Sequence, residues 1–156
     1  MDNRVIYYGL AALLTAGTVV SLPAIAQTAQ TAQTADIILI RQAGQSLVGA
    51  TFGGLKTAID AKVDVKPLAA RADAMVKWGK VFPLQFPAGS DTGAPTKALP
   101  TIWSDRAGFE KADANFVEAA EKLSVLAKAG DADGFAAQWK ATGDTCSACH
   151  KDYRAK

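Results

Sequence analysis

The five residues from Cys146 to His150 constrain this chain more than any other part of its sequence. They read Cys-Ser-Ala-Cys-His and contain both cysteines and the single histidine of the 156 residues. On a helix, residues three and four positions apart project to the same side, so two thiols and an imidazole can reach one large flat group. Cys-x-x-Cys-His is the attachment motif of c-type haem. The sequence therefore predicts one covalent haem c, bonded to Cys146 and Cys149, with His150 as the axial iron ligand.

Three other uses of this motif are disfavoured. A zinc ion needs four ligands, and the chain has no further cysteine or histidine to supply the fourth. A thioredoxin-like redox pair belongs in a βαβ setting, which the sequence does not predict. A disulfide between Cys146 and Cys149 would leave the adjacent His150 unexplained.

Residues 1–26 have the features of a secretory signal peptide. A short segment with Arg4 is followed by the apolar run 5–20, and Ala24-Ile25-Ala26 predicts cleavage before Gln27. The alternative is an uncleaved membrane anchor, because no charge occurs between Arg4 and Asp36, but the apolar run is short for a span. We expect export to the periplasm, with no membrane attachment after cleavage.

Charge and composition exclude some partners and favour one fold class. The net charge is +2 at pH 7, and the basic residues are spread along the chain, which argues against nucleic acid as a partner. Residues 27–35 repeat Gln-Thr-Ala three times and are predicted to be a flexible leader. Residues 36–156 show few strand-like alternations and are rich in helix-forming residues, which indicates an all-α domain.

Two helices are predicted in the first half of this domain. Asp36 is a suitable N-cap for a helix over 36–61, and Pro67 suits the first turn of a helix over 67–82. Four glycines, each costing about 1 kcal/mol relative to alanine, either bend the first helix or let a bulky group lie close to it: Gly44, Gly49, Gly53 and Gly54.

A long loop and two further helices complete the domain. Four of the six prolines fall within 83–100, which predicts an ordered loop there. The third helix covers 102–128 or 104–128, with Gly130 as its C-terminal stop, and the fourth begins near Asp131 or Asp133 and continues almost to the end. Four helices joined by short links and one long loop predict an antiparallel four-helix bundle around the haem.

The second axial ligand of the iron is left open by the sequence. Six residues follow His150 and none is methionine, while a second histidine does not exist. After signal cleavage the one remaining methionine is Met75, on the predicted second helix. Either Met75 is the sixth ligand or the iron lacks a strong protein ligand on that face.

Several segments together resemble the cytochrome c′ family, over roughly residues 36–154. The segments are Thr145-Cys-Ser-Ala-Cys-His-Lys-Asp-Tyr-Arg154, Pro100-Thr-Ile-Trp-Ser-Asp-Arg-Ala-Gly-Phe109, Ala129-Gly-Asp131 and Arg41-Gln42. The resemblance implies a periplasmic bundle with five-coordinate, high-spin iron that often pairs into homodimers. It also implies binding of small gases, nitric oxide and carbon monoxide above all, beside or instead of electron transfer.

The resemblance also implies roles for residues outside the haem motif. It places Arg41 and Gln42 at the haem propionates, although from the residues alone they could be a solvated pair on the exposed side of the helix. Thr96 and Lys97 fall in the loop region where the family makes a further propionate contact, and Arg154 falls near the proximal face. Gln45 falls over the distal face, where the family commonly has an apolar or aromatic residue. Its amide could donate a hydrogen bond to a bound ligand or point elsewhere.

We therefore predict a haem protein that transfers single electrons and binds small gases, with no catalytic residues and no identified redox partner. One alternative is a low-spin electron carrier with Met75 on the iron. Another is a haem enzyme such as a peroxidase, which needs a distal acid–base residue, most often a histidine that this chain lacks. Trp103, Phe109 and Trp139 are expected to be core or haem-wall aromatics.

Overall fold

The computed structural model describes residues 22–156, with side chains from Ala32 onward. This part of the chain is an all-α, antiparallel four-helix bundle, as predicted, and contains no strand beyond one isolated bridge between Ala98 and Arg154. The α-helices are α1 (Leu22–Asp60), α2 (Ala69–Val81), a single turn α3 (Thr101–Ser104), α4 (Arg106–Ala129) and α5 (Ala132–Tyr153). Two 3₁₀ turns, Lys66–Leu68 and Phe82–Gln85, flank α2.

Helix α1 begins earlier than the sequence analysis predicted. It starts at Leu22 rather than Asp36 and runs through residues 27–35, which we expected to be a flexible leader. No glycine or proline interrupts residues 24–43, and alanine and glutamine are good helix formers, so the helix extends through the repeat. The apolar run 5–20 lies outside the described residues. No helix in the described part of the chain is long and apolar enough to cross a membrane.

The helix ends follow local capping rules. Gly130, with a φ of 77°, adopts the left-handed conformation that ends α4, as predicted. The Asp131 carboxylate accepts a hydrogen bond of 2.9 Å from the Gly134 amide and caps α5. The predicted third helix is broken at Asp105, whose φ of −122° and ψ of 58° separate α3 from α4. Asp105 instead caps α4 by accepting from the Gly108 amide at 3.1 Å.

The apolar core is divided into two clusters. The larger one joins the C-terminal part of α1 to α2, α4 and the first half of α5, and it contains Leu55, Met75, Leu123 and Phe135 with seven other buried residues. The smaller one lies where the 83–100 loop meets α4 and the end of α5, and it contains Phe86, Ile102, Phe109 and Tyr153.

Close packing explains Gly44, one of the four glycines in α1. A side chain at this buried position would collide with the indole of Trp78 on α2. A bulky group therefore does lie against this helix, and it is Trp78. Gly49 and Gly53 face open space instead, so close packing does not account for them.

Candidate functional site

A cavity of about 570 Å³ opens between α1, the 83–100 loop and the C-terminal end of α5. Its size lies within the range of small-molecule and cofactor sites. Its wall includes aromatic rings in mutual contact: the Phe86 centroid is 5.0 Å from those of Phe82 and Phe109, and the Phe109 centroid is 5.4 Å from that of Tyr153. The lining residues are Arg41, Gln42, Gln45, Ser46, Phe82, Phe86, Thr96, Lys97, Ala98, Ile102, Phe109, Cys149, His150, Tyr153 and Arg154.

Helix α5 brings the predicted attachment motif to this cavity. Cys149 and His150 line it, whereas half-buried Cys146 is not among the lining residues and lies one turn earlier, with its Sγ 3.5 Å from the Thr142 carbonyl oxygen. Both thiols are free. Burial raises the pKa of Cys146, and burial with the nearby Asp113 charge raises the pKa of Cys149 to about 11. Burial and the charge of Arg154 lower the pKa of His150, which favours the neutral imidazole that binds iron.

Arg41 is buried, with 3 % of its surface exposed, so it does not belong to a solvated pair. Its Nη1 donates hydrogen bonds to the Gln85 carbonyl and the Ser90 hydroxyl, and its Nη2 donates to the Ser90 carbonyl and Thr96 Oγ1. Its guanidinium carbon lies 4.5 Å from the Phe86 ring centroid. Burial lowers the pKa of Arg41, and the Asp91 charge opposes that shift. Arg41 thus fastens the 83–100 loop to α1.

The other polar residues predicted on α1 and the loop also lie in the cavity wall. Gln42 is exposed and donates to the Pro95 carbonyl at 2.8 Å. Thr96 Oγ1 accepts from Arg41 and from the Ala98 amide. Gln45, one turn after Arg41, lines the cavity, and its amide has no hydrogen-bond partner within the described residues.

Met75 does not line this cavity. It is 1 % exposed and belongs to the larger core cluster with Leu55, Leu123 and Phe135. Among the described lining residues there is no methionine and no carboxylate, and His150 is the one imidazole.

The C-terminal end of α5 is fastened to the start of α4 and to the loop. The Tyr153 hydroxyl donates to Asp105 Oδ2 at 2.7 Å, and this hydrogen bond raises the pKa of Tyr153 to about 12. The Ala155 amide donates to the Lys97 carbonyl at 2.8 Å. These contacts bring Lys97 and Arg154, which are far apart in sequence, to one rim of the cavity.

The three aromatic residues singled out from the sequence lie in walls and core, as predicted. Phe109 is 1 % exposed and lines the cavity. Trp103 donates from Nε1 to the Pro87 carbonyl and contacts the smaller cluster. Trp139 stacks on Phe52 at a centroid distance of 4.6 Å, next to the larger cluster.

Three residues near the site were not predicted from the sequence. Ser90 is fully buried beneath Arg41. Arg106 donates to the carbonyl groups of Phe86 and Pro83 and so fixes the loop from the side of α4. Asp113 on α4 is a buried carboxyl near Cys149, and desolvation raises its pKa to about 7. The one sequence signal that could have identified Asp113 is that a polar residue occupies a position on the inward face of the helix.

Comparisons with known proteins agree with this geometry. The family model described as Cytochrome C′ matches residues 36–154. Cytochrome c′ of Rubrivivax gelatinosus is 36 % identical over 128 residues, which cover 78 % of this chain and 95 % of that protein. The crystal structure of cytochrome c′ from that organism matches with a TM-score of 0.72, at 31 % identity, over 78 % of this chain and 97 % of that one. A nitric oxide complex of a cytochrome c′ mutant from Alcaligenes xylosoxidans matches with a TM-score of 0.71, at 29 % identity, over 79 % of this chain and 96 % of the other.

Proposed function

This chain belongs to the cytochrome c′ family, and we propose that it carries one covalent haem c in the cavity beside α5, binds nitric oxide and carbon monoxide at the iron, and transfers single electrons. The observation that carries this proposal is that Cys149 and His150 face a cavity of about 570 Å³ with aromatic rings in its wall. The bound haem would supply an iron that exchanges one electron and offers an axial position to a small gas.

The chain's own residues fit such a group. Cys146 and Cys149 would hold it through thioether bonds from one face of α5, and the neutral imidazole of His150 would ligate the iron. The rings of Phe82, Phe86 and Phe109 would exclude water from the apolar part of the macrocycle.

The charge of Arg41 supports its predicted place beside the propionates. Its guanidinium is almost completely buried, and its four hydrogen bonds all go to uncharged oxygens. It forms no ion pair within the described residues, although the Asp91 charge acts on it, and a buried cation is stabilised by a further anion beside it. We propose that Arg41 acts through its charge and by holding the loop, and that Gln42 and Thr96 complete this edge of the site.

We propose that the second axial face of the iron has no protein ligand. The placement of Met75 in the larger core cluster, outside the cavity wall, supports this over the low-spin carrier. We also propose that the protein has no catalytic turnover. A peroxidase needs an acid–base group on the open face, and the cavity wall, as far as it is described, offers neither a carboxylate nor a second histidine.

Export to the periplasm is proposed from the signal-peptide features of residues 1–26. Pairing into homodimers is proposed from one face of α1, where Leu39, Ile40 and Leu47 leave 65 %, 52 % and 69 % of their surface exposed. A second copy of this helix is the partner that this face would accept.

The proposal is tested on the full chain produced in a host that attaches haem c. The expected result is haem that stays with the protein through acid–acetone extraction, a high-spin ferric spectrum, and saturable binding of both gases. Haem released by extraction would refute covalent attachment. A low-spin spectrum that becomes high-spin in Met75→Leu would instead establish the electron carrier with methionine on the iron.

A further inference from the structure

The wall that α1 contributes to the cavity contains four polar side chains, and three of them are already hydrogen bonded within the protein. Arg41 donates to the loop through both terminal nitrogens. Gln42 donates to the Pro95 carbonyl at 2.8 Å, and the Ser46 hydroxyl donates to the Gln42 carbonyl at 2.9 Å. The fourth, Gln45, has no hydrogen bond to any described residue, although its side chain lines the cavity.

The polar residues on the other walls do not offer an equivalent neutral group. Thr96 Oγ1 is engaged by Arg41 and by the Ala98 amide, and the Tyr153 hydroxyl donates to Asp105. Lys97 and Arg154 are cations suited to carboxylates. Gln45 is therefore the one amide or hydroxyl in the described lining that forms no hydrogen bond to another described residue.

The position of Gln45 is held by its neighbours on α1. Arg41, one turn earlier, is buried and hydrogen bonded to the loop, and Gly44 packs against the Trp78 indole. These contacts determine which face of α1 is turned toward the cavity. Gln45 and His150 consequently line the same cavity from different helices.

We propose that Gln45 donates a hydrogen bond to a diatomic ligand bound on the side of the iron away from His150, and that it thereby favours nitric oxide over carbon monoxide. This inference rests on the proposed function. The amide belongs to an exposed residue and has two N–H donors that no described residue accepts. Nitric oxide on ferrous iron carries more negative charge on its oxygen than carbon monoxide does, so it is the better acceptor. A neutral hydrogen bond of ordinary strength corresponds to about a fivefold difference in affinity.

Two variants separate hydrogen bonding from the space that the side chain fills. Gln45→Met keeps a long unbranched side chain and removes the donor. Thr57→Ala removes a hydroxyl from the same helix outside the cavity wall, where it donates to the Gly53 carbonyl at 3.4 Å. Both are measured as full, haem-loaded proteins, by infrared stretching frequency of the bound gas and by equilibrium titration with each gas.

The expected result for Gln45→Met is a shifted nitric oxide stretch and affinity for nitric oxide weakened by about fivefold, with carbon monoxide affinity changed by less than twofold. Thr57→Ala should match the wild type in both measurements. An unshifted nitric oxide stretch in Gln45→Met would overturn the inference while leaving the proposed function intact, and so would an equal shift in Thr57→Ala. A wild-type protein that binds neither gas would instead refute the proposed function itself.

Discussion

Arg41 and Ser90 are joined by two hydrogen bonds across 49 positions of the chain, from Nη1 to the hydroxyl at 3.1 Å and from Nη2 to the carbonyl at 2.8 Å. Ser90 is fully buried, so the contact lies inside the protein rather than on its surface. It connects the helix that carries Gln45 to the loop that carries Phe86 and Thr96. Two walls of the cavity are therefore held in register by one side chain.

Replacing Arg41 should consequently loosen the loop as well as weaken the fold. We expect Arg41→Gln to lower the free energy of unfolding by at least about 2 kcal/mol, because several hydrogen bonds from a charged donor are lost. Hydrogen exchange of residues 83–100 should rise at the same time. Denaturant unfolding and exchange of the haem-loaded protein measure both effects.

The control for this variant is Arg71→Gln, at an exposed arginine of α2. It should change the stability by less than about 0.5 kcal/mol. Equal losses in the two variants would show that the Arg41 hydrogen bonds contribute nothing special to the loop.

Met75 supplies a second prediction, because its role differs sharply between the two alternatives. As a core residue it should tolerate Met75→Leu with a loss of less than about 1.5 kcal/mol, since the two side chains have similar volumes. The ferric and ferrous absorption spectra should stay unchanged, including the absence of a near-infrared methionine–iron band. Spectra that move from low-spin to high-spin in the variant would place Met75 on the iron.

Asp113 predicts an unusual dependence of stability on pH. Desolvation raises its pKa from 3.8 to about 7, so between these values the folded protein binds more protons than the unfolded chain. The free energy of unfolding is therefore unaffected by this shift below about pH 4, where Asp113 is protonated in both states. It falls as the pH rises to about 7, because the unfolded chain releases this proton more readily than the folded protein does. Asp113→Asn has no proton to release at this site, so its free energy of unfolding should not fall in this way. The variant should therefore be more stable than the wild type from pH 5 to pH 8.

Chemical denaturation at several pH values measures this difference. Asp144→Asn, at an exposed carboxylate of α5, serves as the matched control and should follow the wild-type curve. A constant offset between Asp113→Asn and the wild type over the whole range would mean that Asp113 keeps its charge in the folded protein.

The parts of the fold that follow local rules were predictable from the sequence. Gly130 and Asp131 mark the end of one helix and the start of the next because a left-handed glycine and an aspartate cap depend on neighbouring residues alone. The break between α3 and α4 at Asp105 was missed because the helical pattern of the sequence continues on both sides of this residue. Asp105 nevertheless lies outside both helices and caps α4. The early start of α1 was missed because a polar repeat indicates no packing partner, although its residues favour helix.

The residues of the candidate site also fall into two groups, those that the sequence could identify and those that it could not. Cys146, Cys149 and His150 could be identified because their spacing on one helix has a chemical meaning by itself. Ser90 and Asp113 could not, because their importance arises from burial that only the packing of distant segments creates. Arg41 was placed at the site through the family resemblance, whereas its four hydrogen bonds to the loop required the tertiary structure.

The last prediction concerns Gly44, for which Gly49 on the same helix serves as the control. In an open helical position, alanine stabilises relative to glycine by about 1 kcal/mol, and Gly49 faces open space, so Gly49→Ala should gain about that amount. A methyl group on Gly44 would instead collide with the Trp78 indole and force this ring out of its place between α1 and α2. Overpacking of this kind costs about 1–3 kcal/mol, so Gly44→Ala should be neutral to destabilising by about 2 kcal/mol.

A double-mutant cycle with Trp78→Leu identifies the cause. Once the indole is gone, the added methyl group has room, and Gly44→Ala should become stabilising in that background, with an interaction energy of at least about 1 kcal/mol between the two sites. Denaturant unfolding of the four proteins gives this energy directly. If Gly44→Ala stabilises the parent protein as much as Gly49→Ala does, Trp78 does not pack on Gly44, and the register of α1 that directs Gln45 into the cavity is wrong as well.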